Sequence, residues 1–200
     1  MGQFKEELGI AKEDPVVLYI GRVAEEKSID VVIKEFAKSL KKLPEAKLLI
    51  VGDGPSRTGL EELTAKLDIT NSVIFAGEQP WAEIGKYYQL GDAFVSASTT
   101  ETQGLTFVEA MAAKVPVVAK YDKNLEDMIQ DQVNGLVFDK DEELSTLLVE
   151  VLTNEIKTKQ LVEQAYQDAQ ELSAQQFAKK VEKIYAQVVD EETKDQSLVM

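Results

Sequence analysis

The stretch Ala93-Phe-Val-Ser-Ala-Ser-Thr-Thr-Glu101-Thr-Gln-Gly104-Leu-Thr-Phe-Val-Glu109-Ala-Met-Ala-Ala-Lys114-Val-Pro116-Val-Val-Ala119 decides how the rest of the chain is read. It opens as a short apolar strand, Ala93 to Val95, and passes into a polar loop holding Glu101 and Gly104. A helix of about ten residues follows, and a second strand begins at Pro116. Seven residues separate Glu101 from Glu109, so one carboxylate lies in the loop at the helix mouth and the other in the early turns. Taken singly, either one reads equally as a capping or dipole partner. The loop composition tips the reading towards binding. A strand end, a Ser/Thr cluster, a glycine and a helix N-terminus are the parts of a ligand crevice in an open parallel sheet.

Working outward, the same alternation repeats in both directions. Val16 to Ile20 is a continuous apolar run, the pattern of a strand covered on both faces. It ends at Gly21-Arg22, and a helix is predicted over 30–40, where Val32, Ile33, Phe36 and Leu40 hold helical spacing and the lysines take other positions. A second strand, 46–51, breaks at Gly52-Asp53-Gly54-Pro55, with a helix over 59–67. A third strand, 73–76, leads to a helix over 80–90 that has Pro80 near its first turn. Beyond the central stretch come a short helix at 124–129, the turn Asn134-Gly135 and a minimal sixth strand, 136–138. The fold class is therefore α/β, a six-stranded parallel sheet with helices on both faces and right-handed crossovers. From Asp141 three helical patterns follow without strands, a helical C-terminal extension. The expected organisation is a binding domain over 1–140, packing helices over 141–190 and a disordered tail over 191–200.

Composition bounds the chemistry. With 22 basic and 36 acidic residues the formal net charge is -14, a field that repels phosphate backbones, so nucleic acid is not an expected partner. The chain has no Cys and no His, which removes disulfides, thiol nucleophiles, thiolate or imidazole metal sites and the commonest general base. No metal and no cofactor are expected. If the chain takes part in a reaction, carboxylates do the work or another domain supplies the missing group. No apolar run reaches the roughly 18 residues of a membrane span, and the first residues lack the pattern of a signal peptide.

Four segments gather where strands hand over to helices: 21–27, 52–55, 96–104 and 121–125. Arg22 and Lys27 stand after a buried strand in an acidic chain, as a diphosphate clamp would, or they pair with Glu25, Glu26 or other surface acids. The glycines 52 and 54 make a tight turn or bring backbone to a ligand, without P-loop or dinucleotide spacing. Glu101 can accept from the paired hydroxyls of a sugar, Glu109 from those of a ribose, and Gly104 can offer its N–H at the helix start. Phe107, Val108 and Met111 read as core, and Trp81 with Tyr87 and Tyr88 as packing of the third crossover helix. Glu101 and Glu109 could also form a hydrolytic acid/base pair, but the cations across the crevice favour binding.

The motifs together carry a resemblance. Glu101-Thr-Gln-Gly-Leu-Thr-Phe-Val-Glu109-Ala-Met-Ala, with Gly21-Arg22, Glu26-Lys27, Val51-Gly-Asp-Gly-Pro55, Pro116-Val-Val and Asn134-Gly-Leu136 in that order, resembles the donor-binding C-terminal half of retaining two-domain (GT-B) glycosyltransferases, group 1 or family 4. The resemblance implies a Rossmann-like fold, one half of a GT-B enzyme. It implies that Gly21, Arg22, Lys27 and Gly54 line the nucleotide diphosphate site, that Glu101 orients the sugar, and that Glu109 holds the ribose. Thr102, Gln103, Gly104 and Leu105 would seat sugar and diphosphate through their backbone. Within the family the chain looks most like bacterial 1,2-diacylglycerol 3-glucosyltransferases. This implies UDP-glucose as donor, diacylglycerol as acceptor and a cytoplasmic enzyme working on the inner face of the cell membrane. A polysaccharide or protein acceptor, or a non-catalytic interaction domain, are the competing expectations. The resemblance further implies an absent N-terminal Rossmann domain, against which the last helix, about 174–189, would pack. Ser28 and Lys114 depart from the family pattern, which has glycine at both places.

Overall fold

The computed structural model describes residues 2–198, with side chains described through Gln187. After a short helix α1 (Gly2–Glu7), strand β1 (Val16–Ile20) alternates with helix and strand through α2 (Ile29–Ser39), β2 (Lys47–Val51), α3 (Arg57–Lys66), β3 (Val73–Gly77) and α4 (Trp81–Tyr88). The series continues with β4 (Ala93–Ser96), α5 (Leu105–Ala112), β5 (Val117–Lys120) and β6 (Leu136–Phe138), then α6 (Leu144–Thr153), α7 (Glu155–Glu171) and α8 (Ala174–Leu198). All five strand pairings are parallel, in the order β3-β2-β1-β4-β5-β6. The expected six-stranded parallel sheet is what forms.

Strand periodicity divides the core into two layers. Val17 and Tyr19 of β1 face one side with Leu48 and Ile50, packing against Val32, Ile33 and Phe36 of α2, Leu60 of α3 and Leu144 and Leu148 of α6. Val16, Leu18 and Ile20 face the other, with Leu49 and Val51, against Tyr87 and Tyr88 of α4, Phe107, Ala110 and Met111 of α5 and Ala165 and Ala169 of α7. Every residue of β1 is buried, because helices cover both faces. Fully buried side chains such as Phe36, Phe94 and Phe107 each stabilise the fold by about 1.5–3 kcal/mol through removal from water. The small residues Ala165 and Ala169 let α7 lie close against α5, which carries Glu109. The C-terminal helices thereby back the central stretch rather than forming a separate unit.

Three expectations need correction or refinement. Trp81 does not pack: it is 86% exposed at the first residue of α4, while Tyr87 and Tyr88 are buried. The helix expected at 124–129 is a single 3-10 turn, Lys123–Leu125, because the Asp122 side chain takes the Asn124 N–H and the Asn134 side chain takes the Gln130 N–H, drawing amides away from a helical ladder. The expected tail over 191–200 meets a helix whose backbone runs to Leu198; Val199, Met200 and the side chains after Gln187 lie outside the described residues. Phe177, Ile184 and Tyr185 of α8 are exposed. Among the described residues no helix is long and apolar enough to cross a membrane.

Candidate functional site

The strand order reverses direction between β1 and β4, which pair through Val17 with Ala93 and Leu18 with Phe94. In an open parallel sheet this reversal opens a crevice beyond the strand ends, since the two following helices leave to opposite faces. The loop after β1 carries Gly21, Arg22 and Lys27, and the loop after β4 carries Glu101 to Gly104. Topology thus joins segments more than seventy positions apart, as the 74-residue separation of Lys27 and Glu101 records.

The loop after β1 is fastened before its cations appear. The Tyr19 hydroxyl donates to the Arg22 carbonyl at 2.9 Å, Val23 N–H to the Asp53 carbonyl at 3.0 Å and Ser56 N–H to the Val23 carbonyl at 3.1 Å. Burial, with Glu101 and Glu26 nearby, pushes the Tyr19 hydroxyl well above its ordinary pKa, so it remains a donor. Gly54 lies so close that a Cβ there would come within 2.3 Å of the Val23 carbonyl oxygen. The contact between the two loops therefore requires glycine, quite apart from any ligand. Arg22 is largely exposed, with its guanidinium 3.7 Å from Glu26. Lys27 ends a 3-10 turn, Glu25–Lys27, and its ammonium lies 2.7 Å from Glu101 Oε1, with side-chain exposures of only 23% and 14%. Both cations thus pair with acids; Arg22 takes the expected Glu26, whereas Lys27 reaches across the crevice.

The loop after β4 satisfies much of its own backbone. Ser96 and Ser98 are buried, and their hydroxyls accept from Ser98 N–H and Thr100 N–H at 3.3 and 3.4 Å. These serines support the loop instead of facing solvent, while Thr99, Thr100, Thr102 and Gln103 are exposed. Gly104 is the N-cap of α5 at φ 60°, and a Cβ there would meet Leu125 Cδ2 at 2.8 Å, so conformation and space both demand glycine. Leu105, at the first position of α5, is 61% exposed. Glu109, one turn further on, accepts from the Tyr88 hydroxyl at 2.8 Å. The same hydroxyl approaches the Thr106 carbonyl at 3.1 Å, and its single proton favours the charged, nearer acceptor. Burial foremost, and then this carboxylate, push the Tyr88 hydroxyl far above the usual tyrosine range.

Two clefts flank Ile84. One, of about 330 Å³, is lined by Gly21, Arg22, Gly52, Asp53, Glu78 and Gln79. The other, of about 440 Å³, is lined by Trp81, Tyr88, Gln89 and Glu109. Asp53 faces the first cleft; the Gly54 N–H and then Arg57 hold its carboxyl below the usual range, so it is an acceptor. The chain therefore presents an opening edged by Arg22, a groove over Glu109, and the Lys27–Glu101 pair at the mouth of α5.

The structure brings Lys27, Glu101 and Gly104 to one edge and sets Glu109 in a groove with Tyr88. It does not bring Arg22 and Lys27 into contact with a common partner. Sequence reading missed Asp122 and Asn124, which bind the Glu101 main chain, and Tyr88 as the partner of Glu109. It also read Asn134 as a turn residue only. Asn134 is buried and donates to Asp168 on α7 at 2.7 Å, fastening the loop before β6 to the C-terminal helices. Buried polar side chains such as these carry no periodic signal; only the Asp-x-Asn spacing of an Asx turn hints at the first pair.

Comparison with known proteins agrees with this architecture. The Acholeplasma laidlawii alpha-monoglucosyldiacylglycerol synthase is 35% identical over 190 residues, covering 95% of this chain and 48% of that protein. A Streptococcus pneumoniae protein of the same name is 35% identical over 189 residues, covering 94% of this chain and 42% of that one. The chain thus spans under half the length of these relatives. The structure of Anabaena HepE in complex with UDP-glucose superposes with a TM-score of 0.79 at 23% identity, covering 91% of this chain and 52% of the other, a likeness of fold. The sequence pattern of glycosyl transferases group 1 matches residues 2–168, and the sheet has the Rossmann-like α/β fold of the C-terminal domain of GT-B glycosyltransferases. The chain belongs to the group 1 glycosyl transferases.

Proposed function

We propose that the chain is the nucleotide-sugar-binding half of a retaining hexosyltransferase that takes UDP-glucose as donor and transfers glucose to diacylglycerol at a membrane surface. The observation that carries this reading is the Lys27–Glu101 pair at the mouth of α5, on the crevice between β1 and β4. A cation held by a carboxylate, beside a helix N-terminus, suits a diphosphate on one side and a hydroxylated sugar on the other. In this reading Arg22 turns from its loose contact with Glu26 towards the diphosphate, and Lys27 offers its remaining N–H groups to the same oxygens. Glu101 accepts from sugar hydroxyls. Glu109, exposed and steadied by Tyr88, accepts from the ribose, with the base lying over Ile84 between the two clefts. Backbone N–H groups of Thr102 to Leu105 complete the seat.

The donor and lipid acceptor are supported by the relatives named alpha-monoglucosyldiacylglycerol synthase and by the UDP-glucose in the superposed structure. The acceptor site and the groups that complete catalysis belong, in this proposal, to a second Rossmann-like domain, which the greater length of those relatives accommodates. The exposed Phe177, Ile184 and Tyr185 of α8 offer that domain an apolar face. The full protein then works as a peripheral membrane enzyme.

Nucleotide titration tests the donor site. UDP is expected to shift the amide resonances around Arg22, Lys27, Gly104 and Glu109, and UDP-glucose to bind more tightly than UDP. Unmoved amides at millimolar UDP refute the reading. Release of free glucose by the chain alone at an enzymatic rate, abolished by Glu101→Gln, would instead indicate a hydrolase. The acceptor is tested with the full-length protein offered UDP-glucose with diacylglycerol and with soluble sugars in parallel; transfer to a soluble sugar alone refutes the lipid.

A further inference from the structure

The loop after β5 grips the main chain of Glu101 from both sides of the residue. Asp122 Oδ2 accepts from the Glu101 N–H at 3.1 Å, and the Asn124 side-chain amide donates to the Glu101 carbonyl at 3.0 Å. Asp122 is buried, and its other oxygen accepts from the Asn124 N–H at 2.9 Å, so the two gripping residues are locked to each other. Leu125, at the end of the same turn, lies under Gly104. One short turn therefore supports the loop after β4 at Glu101 and again at the start of α5. The neighbouring residues Thr99, Thr100, Thr102 and Gln103 are exposed, whereas the Glu101 side chain is 14% exposed and directed onto Lys27. The ion pair with Lys27 holds the Glu101 carboxylate inward, and the grip of Asp122 and Asn124 holds the peptide groups from which it projects.

We propose that Asp122 and Asn124 are positioning residues that fix the Glu101 backbone, and through it the direction of the Glu101 carboxylate towards the sugar of the donor. The second half of this statement rests on the assignment of Glu101 to the sugar; the first half does not. A carboxylate oxygen bound to a backbone N–H is a charge-assisted contact, stronger than a neutral one, and it fixes a peptide plane better than a side chain in water can. Because β4 and β5 are neighbours, with Ser96 opposite Ala119, the grip ties together the loops at adjacent strand ends.

The test uses this chain with Asp122→Ala, Asp122→Asn, Glu101→Gln and the double variant Asp122→Ala/Glu101→Gln. Hydrogen exchange at the Glu101 amide is expected to quicken about tenfold in Asp122→Ala, the loss of a charge-assisted bond, with Phe94 and Val95 unchanged. Asp122→Asn keeps one acceptor oxygen and restores part of the protection. An unchanged Glu101 amide overturns the grip whatever the ligand does. The ratio of UDP-glucose to UDP affinity is then expected to fall alike in Asp122→Ala and Glu101→Gln, with no further fall in the double variant. A fall in the double variant equal to the sum of the singles overturns action through Glu101. If Glu101→Gln leaves the ratio unchanged, the assignment of Glu101 to the sugar fails and the proposed direction of its carboxylate fails with it, while the amide readout still decides the grip.

Discussion

The Lys27–Glu101 pair sets the most informative perturbation, Lys27→Met. At 2.7 Å two unit charges attract by about 6 kcal/mol at an effective dielectric constant of about 20. Desolvating side chains only 23% and 14% exposed offsets several kcal/mol of that attraction. The net coupling expected is about 1–2 kcal/mol, above the range of a fully exposed pair. Methionine keeps the length of the lysine stem and removes the charge, leaving Glu101 half-enclosed with no other cation within ion-pair distance among the described residues. The single substitution should therefore cost about 2–3 kcal/mol, more than the pair contributes, because a carboxylate is left unpaired. Glu101→Gln should cost about 1 kcal/mol, since the freed ammonium can turn to water. The double variant should cost no more than Lys27→Met alone. Urea denaturation at pH 7 reads all three, and single costs that add to within about 0.5 kcal/mol in the double variant refute the coupling. Lys27→Met should also weaken UDP binding by tenfold or more, whereas Glu101→Gln should spare UDP and reduce only the extra affinity contributed by glucose.

The other predictions concern backbone and protonation. Gly104→Ala forces a Cβ into the left-handed region and to within 2.8 Å of Leu125, so a loss of about 2–3 kcal/mol in urea is expected, together with weaker UDP binding. Ser28 holds a left-handed conformation at φ 50°, and Ser28→Gly should raise the melting temperature through a net gain of about 0.5 kcal/mol, relief of strain outweighing the added freedom of the unfolded chain. Tyr19 and Tyr88 have folded-state pKa values raised above 10, so the unfolded state loses these protons first and stability should fall above about pH 10. Each contributes a slope of about 1.4 kcal/mol per pH unit until its folded pKa is reached. Tyr88→Phe should reduce the alkaline slope by one such share, and an unchanged slope from pH 10 to 11 counts against burial of that hydroxyl.

Sheet and site were legible to different depths. The runs Val16 to Ile20 and Lys47 to Val51 are strands on burial alone, and the Glu101 to Glu109 spacing marks a loop and a helix mouth without any tertiary information. What sequence could not supply was the pairing of charges. Lys27 lies beside Glu25 and Glu26, and proximity along the chain favours those partners; only the adjacency of β1 and β4 puts Glu101 closer. Trp81 shows the converse error. It shares helical spacing with Ile84 and Tyr88, but it starts α4, where the first turn overhangs the cleft, so the apolar stripe leaves the core before reaching it. The segment 121–125 reads as a crevice loop, but nothing in it singles out Asp122 and Asn124, because their common partner Glu101 lies 21 and 23 positions away.

The charge balance bears on how such a site can hold an anion. With a net charge of -14 the chain as a whole repels a nucleotide diphosphate, so long-range attraction would not draw such a ligand in. Nor are the two cations of the loop after β1 idle, since Arg22 faces Glu26 and Lys27 faces Glu101. These two pairs differ in a useful way. Arg22 and Glu26 are exposed and 3.7 Å apart, an arrangement of little net energy that a diphosphate can displace at small cost. Lys27 and Glu101 are close and enclosed, and need not separate, because the ammonium has three donors and spends one on the carboxylate. In the proposed donor site, that difference would select a donor carrying both phosphate and sugar. A bare phosphate can engage the cations but leaves the inward carboxylate unused, whereas a sugar diphosphate satisfies both ends of the pair. The acidic field works against indiscriminate anions, and in the proposed donor site short-range complementarity at Lys27, Glu101 and the start of α5 must outweigh it.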